Sequence, residues 1–181
     1  MTDEPGDERL VAAARGGDEP AFGELVRRYQ GPIYNAVLRM VRDAEDARDL
    51  SQTVFLKAFR ELGSFNPRYK FYSWIYRIAI NESLNHLKRS GRQEPLTGDL
   101  RSGAEGAIEA LVERERDRQV QDEIMRLRPD HRAVLVLRHF LDLSYEDIAE
   151  VIGVPEKTVK SRLFSARQEL KDRLVQKGVL R

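Results

Sequence analysis

Apolar and polar positions alternate along this chain with a helical period almost throughout. Phe22, Leu25, Val26, Tyr29, Ile33, Val37 and Val41 recur mostly three and four apart, which predicts a helix over about 21–41 with one buried face. Gly31-Pro32 falls inside it, and a proline without an N–H should bend that helix or cost it a turn. Ala47, Leu50, Val54, Ala58 and Phe59 predict a second helix over about 44–62, capped by Asp43, with its other face charged and polar. Residues 63–70 contain Gly63 and Asn66-Pro67 and keep no helical period, so they read as a loop. A third helix is expected from near Ser73 to about Arg89, ended by Ser90-Gly91. Residues 93–106 hold Pro95, Gly98, Gly103 and Gly106 with few apolar side chains and read as a flexible linker. Helix returns over about 107–127, Arg128-Pro129 breaks it, and residues 133–140 form another. No strand is expected. The fold class is all-α, with two small helical domains, 10–92 and 107–178, on either side of the linker.

The second domain contains the densest pattern in the chain, from Leu143 to Leu163. Ser144 is a good N-cap, with Asp147 where the reciprocal partner of a capping box belongs. Ile148, Ala149 and Ile152 form one apolar stripe. Gly153 sits where the chain must turn through a left-handed conformation, and Pro155 suits the first position of a following helix. There Val159, Leu163, Ala166 and Leu170 face inward, while Lys157, Lys160, Ser161, Phe164 and Ser165 share the opposite face. This is the pattern of a helix-turn-helix whose second helix enters a DNA major groove. A large aromatic on a basic outward face suits contact with a thymine methyl.

Net charge is only +1 and the isoelectric point about 8.0, so distribution says more than the total. Seven basic residues between Arg60 and Arg92 face only Glu61 and Glu82, and six more lie between Glu156 and Arg173. Two basic segments separated by acidic ones suit a protein that touches DNA at two places. The chain has no cysteine, which excludes disulfides, thiol catalysis and cysteine-ligated zinc. No apolar run approaches the roughly 20 residues needed to span a bilayer, and the first residues lack the apolar core of a signal peptide, so a cytoplasmic protein is expected.

A second constellation is aromatic. Phe65, Tyr69, Phe71, Tyr72, Trp74 and Tyr76 place six rings in twelve residues, against 8% in the whole chain. Some of these rings belong in a small core. Their company also includes Arg68, Lys70, Arg77, Lys88 and Arg89, and aromatics interleaved with basic residues make a stacking platform for unpaired bases. Asn81, near the middle of the third helix, could pair with the edge of a base taken out of the stack.

Together, the acidic helix Asp43-Ala-Glu-Asp-Ala-Arg-Asp-Leu-Ser-Gln-Thr-Val-Phe-Leu-Lys-Ala-Phe, the segment Phe71-Tyr-Ser-Trp-Ile-Tyr-Arg-Ile-Ala-Ile-Asn and the C-terminal helix-turn-helix closely resemble the extracytoplasmic-function (ECF) group of bacterial RNA polymerase sigma factors. The resemblance covers nearly the whole chain. It implies sigma region 2 over 10–92, a linker over 93–106 and sigma region 4 over 107–178. Asp46, Asp49, Leu50, Gln52, Phe55 and Lys57 would dock on the clamp helices of the polymerase β′ subunit, and region 4 would meet the β flap. Phe65, Asn66, Arg68, Tyr69, Lys70, Phe71, Tyr72, Trp74, Arg77, Asn81 and Lys88 would bind the −10 element, with one base flipped into the loop. Lys157, Thr158, Lys160, Ser161, Phe164, Ser165 and Arg167 would read the −35 element. Lys160 and Ser165 stand where related members often carry Arg, which changes how a guanine would be gripped. The implied partners are core polymerase, promoter DNA and an anti-sigma factor, which could hold the chain at the inner membrane face. No lipid or small-molecule substrate is implied.

The resemblance therefore implies a promoter-specificity subunit without catalysis of its own. An autonomous helix-turn-helix regulator would explain the C-terminal half equally well but leaves the aromatic loop and acidic helix unexplained. For an enzyme the chain offers no Gly-rich phosphate loop, no Gly-x-Ser-x-Gly and no His-Glu-x-x-His. His86, His131 and His139 lack a ligand partner at helical spacing and read as surface or packing residues. No catalytic residue, metal or cofactor is expected.

Overall fold

The computed structural model describes residues 6–90 and 108–179, with side chains from residue 117 in the second span. The linker expected at 93–106 lies outside the described residues. Among these there are eight α-helices and no strand: α1 (Asp7–Arg15), α2 (Glu19–Val41), α3 (Ala44–Glu61), α4 (Phe71–Ser90), α5 (Ile108–Met125), α6 (Pro129–His139), α7 (Tyr145–Ile152) and α8 (Glu156–Gln176).

Helix α2 is the spine. Asp18 caps its start by accepting from the Ala21 N–H at 3.0 Å, and its stripe of Leu25, Ile33, Ala36, Val37 and Met40 is almost wholly withdrawn from water. The Leu, Ile, Val and Met side chains among them each contribute roughly 1.5–3 kcal/mol by their burial. Helix α2 packs against α1, α3 and α4 from the N-terminal half of the chain and against α5 and α6 from the C-terminal half. Most of the buried apolar residues accordingly form one cluster running from Leu10 through to Ala166.

Gly31-Pro32 costs α2 no turn. Helix α2 runs through Pro32, which is exposed, while Ile33 on the next position is fully buried. Pro32 gives the helix no N–H, but the apolar face is unaffected, so packing holds the helix across the defect. Helix α1, within a stretch the hydrophobic period did not mark, is a second departure. Asp7 and Glu8 occupy its first turn, Leu10 and Val11 are buried, and Asp7 binds Arg28 and the Tyr29 hydroxyl of α2.

The remaining boundaries follow local chemistry. The Asp43 carboxylate accepts from the Glu45 and Asp46 N–H groups, both at 3.0 Å. A 3-10 turn at Leu62–Ser64 ends α3, and α4 begins at Phe71, two residues earlier than its apolar period alone predicts.

The two halves meet through charged groups as well as apolar ones. Arg132 on α6 is buried and donates to the carbonyls of Met40 on α2 and Met125 and Leu127 at the end of α5. The Met40 and Met125 carbonyls lie in the last turns of their helices with no intrahelical partner, and one guanidinium serves both together with the Leu127 carbonyl beyond α5. Burial brings its pKa down to about 10, so it stays charged at neutral pH. Beside it Arg42, the left-handed residue that terminates α2, is paired with Asp122, and the Arg39 guanidinium lies 3.7 Å from the centre of the Phe140 ring. Replacing Arg132 with Met should keep the volume but strand the three carbonyls, at about 1–3 kcal/mol for each one left dry. A loss of about 3 kcal/mol in urea unfolding is expected; less than 1 kcal/mol would mean that those carbonyls find water.

Candidate nucleic-acid interface

The helix-turn-helix is built as its sequence dictates, with one alteration. The Ser144 hydroxyl oxygen accepts from the Asp147 N–H at 3.0 Å, which starts α7, and Gly153 ends it at φ +68°, with its N–H on the Ala149 carbonyl at 2.9 Å. Pro155 is the residue that precedes α8, one position earlier than expected, and its carbonyl accepts from Thr158 and Val159. The alteration concerns Asp147. Its Oδ2 takes the Ser144 hydroxyl at 2.6 Å, while Oδ1 accepts from the Tyr72 hydroxyl at 2.7 Å and the Lys70 ammonium at 3.2 Å. The carboxylate of the capping box therefore reaches the other half of the molecule.

Val159, Leu163 and Ala166 are buried beneath α8 and Leu170 is half-buried, as the spacing predicts. Lys157, Lys160, Ser161, Phe164 and Ser165 lie on one exposed face, with the Phe164 ring 65% exposed. Lys160 is paired with Glu156 at 2.5 Å, an exposed i,i+4 contact that a phosphate could replace. Thr158 is half-buried, and Arg167 sits on the flank, donating to His139 Nε2 at 3.3 Å. Burial, together with Arg167 and Arg138, keeps His139 below the ordinary histidine pKa and so biased to its neutral form.

Most of the aromatic cluster turns inward. Phe65, Phe71 and Tyr76 are buried, and Phe65, Phe71 and Trp74 pack ring against ring at centroid distances of 5.3–6.0 Å, with Tyr29 of α2 on Phe71 at 5.5 Å. Burial pushes Tyr76 up to about 12 and raises Tyr29 further. These rings hold the loop in shape. An Asx turn adds to that, since Asn66 Oδ1 accepts from the Arg68 N–H at 3.1 Å. What remains on the outside is Tyr69, 55% exposed, flanked by Asn66, Arg68 and Lys70, with Tyr72 and Trp74 partly covered. Tyr69 and Arg68 border a cleft of about 920 Å³ between the loop and α1, which Arg9, Arg15 and Arg28 also line. The basic side of that cleft comes from α1 and α2, so the sequence pattern of the loop alone did not reveal it. Along α4, Arg77, Asn81 and Lys88 are exposed on the surface. Arg77 Nε donates to the Val151 carbonyl of α7 at 3.4 Å.

Helix α3 departs from its expected amphipathic split. Ala47, Leu50, Val54 and Ala58 are buried, but Phe59 is 51% exposed and Leu56 57% exposed. Phe59 lies about 100° around the helix from Ala58, which places it against Phe22 at 5.1 Å rather than in the core. Gln52, Phe55, Leu56 and Phe59 face α2 residues Phe22, Val26 and Tyr34 across a cleft of about 920 Å³. Of the six residues assigned to partner docking, Gln52 and Phe55 line this cleft and Asp49 is exposed beside it. Leu50 belongs to the core. Asp46 and Lys57 face α4 instead, through His86 at 3.1 Å and Glu82 at 2.6 Å. Leu56 and Phe59 were legible as apolar residues, but nothing local told that they would stay uncovered.

Known proteins share this organisation. The Sigma-70 region 2 family matches residues 25–93, and the Sigma-70, region 4 family matches residues 117–170. The RNA polymerase sigma-H factor of Pseudomonas aeruginosa is 40% identical over 176 residues, covering 91% of each chain. The ECF RNA polymerase sigma-E factor of Escherichia coli is 36% identical over 188 residues, which is 96% of this chain and 97% of that one. Among solved structures, CnrH in complex with the cytosolic domain of CnrY is similar at a TM-score of 0.72 and 28% identity, over 94% of this chain and 97% of that chain. The sigma factor RpoE of Bartonella quintana, in complex with the anti-sigma factor NepR, shares the fold at a TM-score of 0.69 and 21% identity, over 84% of this chain and 96% of that chain.

The division of the rings into core and surface is open to measurement. Phe71→Ala should cost about 3–5 kcal/mol in chemical denaturation, the usual range for a buried aromatic. Tyr69→Ala should change stability by no more than about 0.5 kcal/mol, as a surface substitution does. Equal effects would show that the loop is packed differently.

Proposed function

The chain belongs to the extracytoplasmic-function group of RNA polymerase sigma factors, which direct the polymerase to promoters, and we propose how its two helical units divide that task. The unit within 10–92 docks on the clamp helices of the β′ subunit through the apolar cleft of α3, with Gln52, Phe55, Leu56, Phe59 and the neighbouring Asp49. Leu50 supports that surface from beneath, and Asp46 and Lys57 brace it against α4. The same unit takes the opened −10 strand along Asn66, Arg68, Tyr69, Lys70, Tyr72, Arg77, Asn81 and Lys88, on a platform held by Phe65, Phe71 and Trp74. Residues 93–106 act as the tether. The unit within 107–178 meets the β flap and reads the −35 element in the major groove through Lys157, Lys160, Ser161, Phe164 and Ser165, with Thr158 and Arg167 at the edges.

The observation that carries this reading is the α8 face, where a large ring stands exposed among two lysines and two serines. Such a ring gains little in water and much against a thymine methyl. The chain contributes binding and strand capture, and bond formation belongs to the polymerase. Similarity to CnrH, which is held by the cytosolic domain of CnrY, supports an anti-sigma partner for this chain and a cytosolic place of work. No helix among the described residues is long and apolar enough to cross a membrane.

Run-off transcription with core polymerase tests the assignment. Lys160→Ala and Phe164→Ala should each weaken use of a −35-dependent promoter by roughly 1–3 kcal/mol, with core binding unchanged. Wild-type transcription by both variants would remove the proposed groove face. Gel shift on duplex promoter DNA separates the alternative, because an autonomous regulator binds without polymerase.

Strand opening supplies an independent check. Unstacking a base costs a few kcal/mol, and stacking on an aromatic ring returns roughly 1–3 kcal/mol. Asn81→Ala should leave closed complexes nearly intact and depress permanganate reactivity of thymines at the start site. A pre-melted template should recover part of that loss without restoring discrimination at the −10 base. Normal opening and discrimination would return Asn81 to an ordinary surface residue.

A further inference from the structure

Helix α8 carries a carboxylate among the basic and polar groups of its outward face. Glu156 is exposed at the first position of the helix, with its Oε1 2.5 Å from the Lys160 ammonium one turn along. The next acidic residue on α8 is Glu169, and it is turned to His131 and Arg173 instead. The Lys160 ammonium also lies 5.7 Å from the centre of the Tyr145 ring of α7, and the Arg138 guanidinium lies 5.6 Å from the same ring. Two helices therefore draw the Lys160 head group toward one place, and Glu156 shares it.

A carboxylate there is unfavourable for a protein that binds a polyanion. DNA phosphates repel it, and the exposed ion pair contributes little in return. Once Lys160 turns to a base, Glu156 loses its donor inside a groove of negative potential and has to find another. The base edges of the major groove differ sharply in what they offer. Guanine shows acceptors at N7 and O6, thymine shows one at O4, and adenine sets its N7 acceptor beside the N6 amino group. Cytosine presents the N4 amino group alone, and a carboxylate accepts from it. The lysine has the reverse demand, three donors and no acceptor, which guanine meets. Head groups 2.5 Å apart span less than the roughly 3.4 Å between stacked base pairs, so both fall on one pair or on neighbours.

We propose that Glu156 is a specificity-determining residue of the α8 face, accepting from the N4 amino group of a cytosine beside or opposite the base that Lys160 takes. The proposal rests on the assignment of that face to the −35 element and names a base within it. A lysine can settle on a phosphate or on several bases. A carboxylate cannot, so Glu156 rejects a wrong base by repulsion as well as by a lost bond.

The test uses holoenzyme assembled from the whole chain and core polymerase. It transcribes a promoter library randomised through the −35 element, each member marked by a barcode in its transcript. Wild type should favour cytosine at one position, on one strand or the other. Glu156→Ala should reduce that preference by about ten-fold at that position. Glu156→Gln should move it to adenine, because an amide pairs with adenine N6 and N7. A carboxylate that serves only to favour the start of α8 through the helix dipole, or to tether Lys160, predicts no such exchange of bases. Retained cytosine preference in Glu156→Gln overturns the proposal, as does an even change in transcription across the library in both variants. Circular dichroism and core binding of each variant control for folding. A wild-type library with no preferred base anywhere in the −35 element would remove the groove assignment of α8 itself, and this proposal with it, which keeps the two failures apart.

Discussion

A helix as long and as apolar on one face as α2 has to be covered along its whole length. Its 23 residues carry a buried stripe from Leu25 through Ile33 and Val37 to Met40, and five other helices pack on it. Helices α1, α3 and α4 come from the same half of the chain, and α5 and α6 come from far along it, with Arg132 of α6 reaching the Met40 carbonyl near the end of α2. Much else follows from that arrangement. Bringing α5 and α6 against the end of α2 puts several helix C-termini out of water at one place, and their free carbonyls need a donor there. Arg132 provides it, and Arg42 with Asp122 completes a charged joint inside an apolar seam. Buried ionic joints contribute little net stability but penalise any arrangement that leaves a charge unpaired.

The same packing sets out the functional surfaces. With the aromatic rings of 65–76 drawn inward against Tyr29, the loop becomes a rigid support rather than a row of free rings, and only Tyr69 and its basic neighbours are presented. With Ala47, Leu50, Val54 and Ala58 committed to the core, Leu56 and Phe59 stay exposed and line an apolar cleft with the partly buried Phe55. An apolar surface of that kind is costly in water unless a partner covers it, which is consistent with a subunit that works inside a larger assembly. The α8 face carries its chemistry in the same uncommitted state. The Lys70–Tyr72–Arg77 edge differs, because it is already in contact with α7.

What the sequence by itself determined was everything governed by neighbours a few residues apart. The helical period of α2, α3 and α8, the caps at Asp43 and Ser144, the left-handed turn at Gly153 and the outward face from Lys157 to Ser165 are all local, because hydrogen bonds and side-chain spacing in a helix reach only one turn. The family resemblance was carried by those same local motifs. Tertiary structure decided where a side chain's surroundings come from distant segments. Pro32 was tolerated because packing on Ile33 outweighed one lost bond. Phe65, Phe71 and Tyr76 became core because α2 lies against them, and Phe59, which meets Phe22 of α2 edge to face, stays half exposed. Asp147 found Tyr72, 75 residues away, and Arg132 found the Met40 carbonyl, 92 residues away. No periodicity records such pairings, since they depend on how helices cross and not on how residues recur.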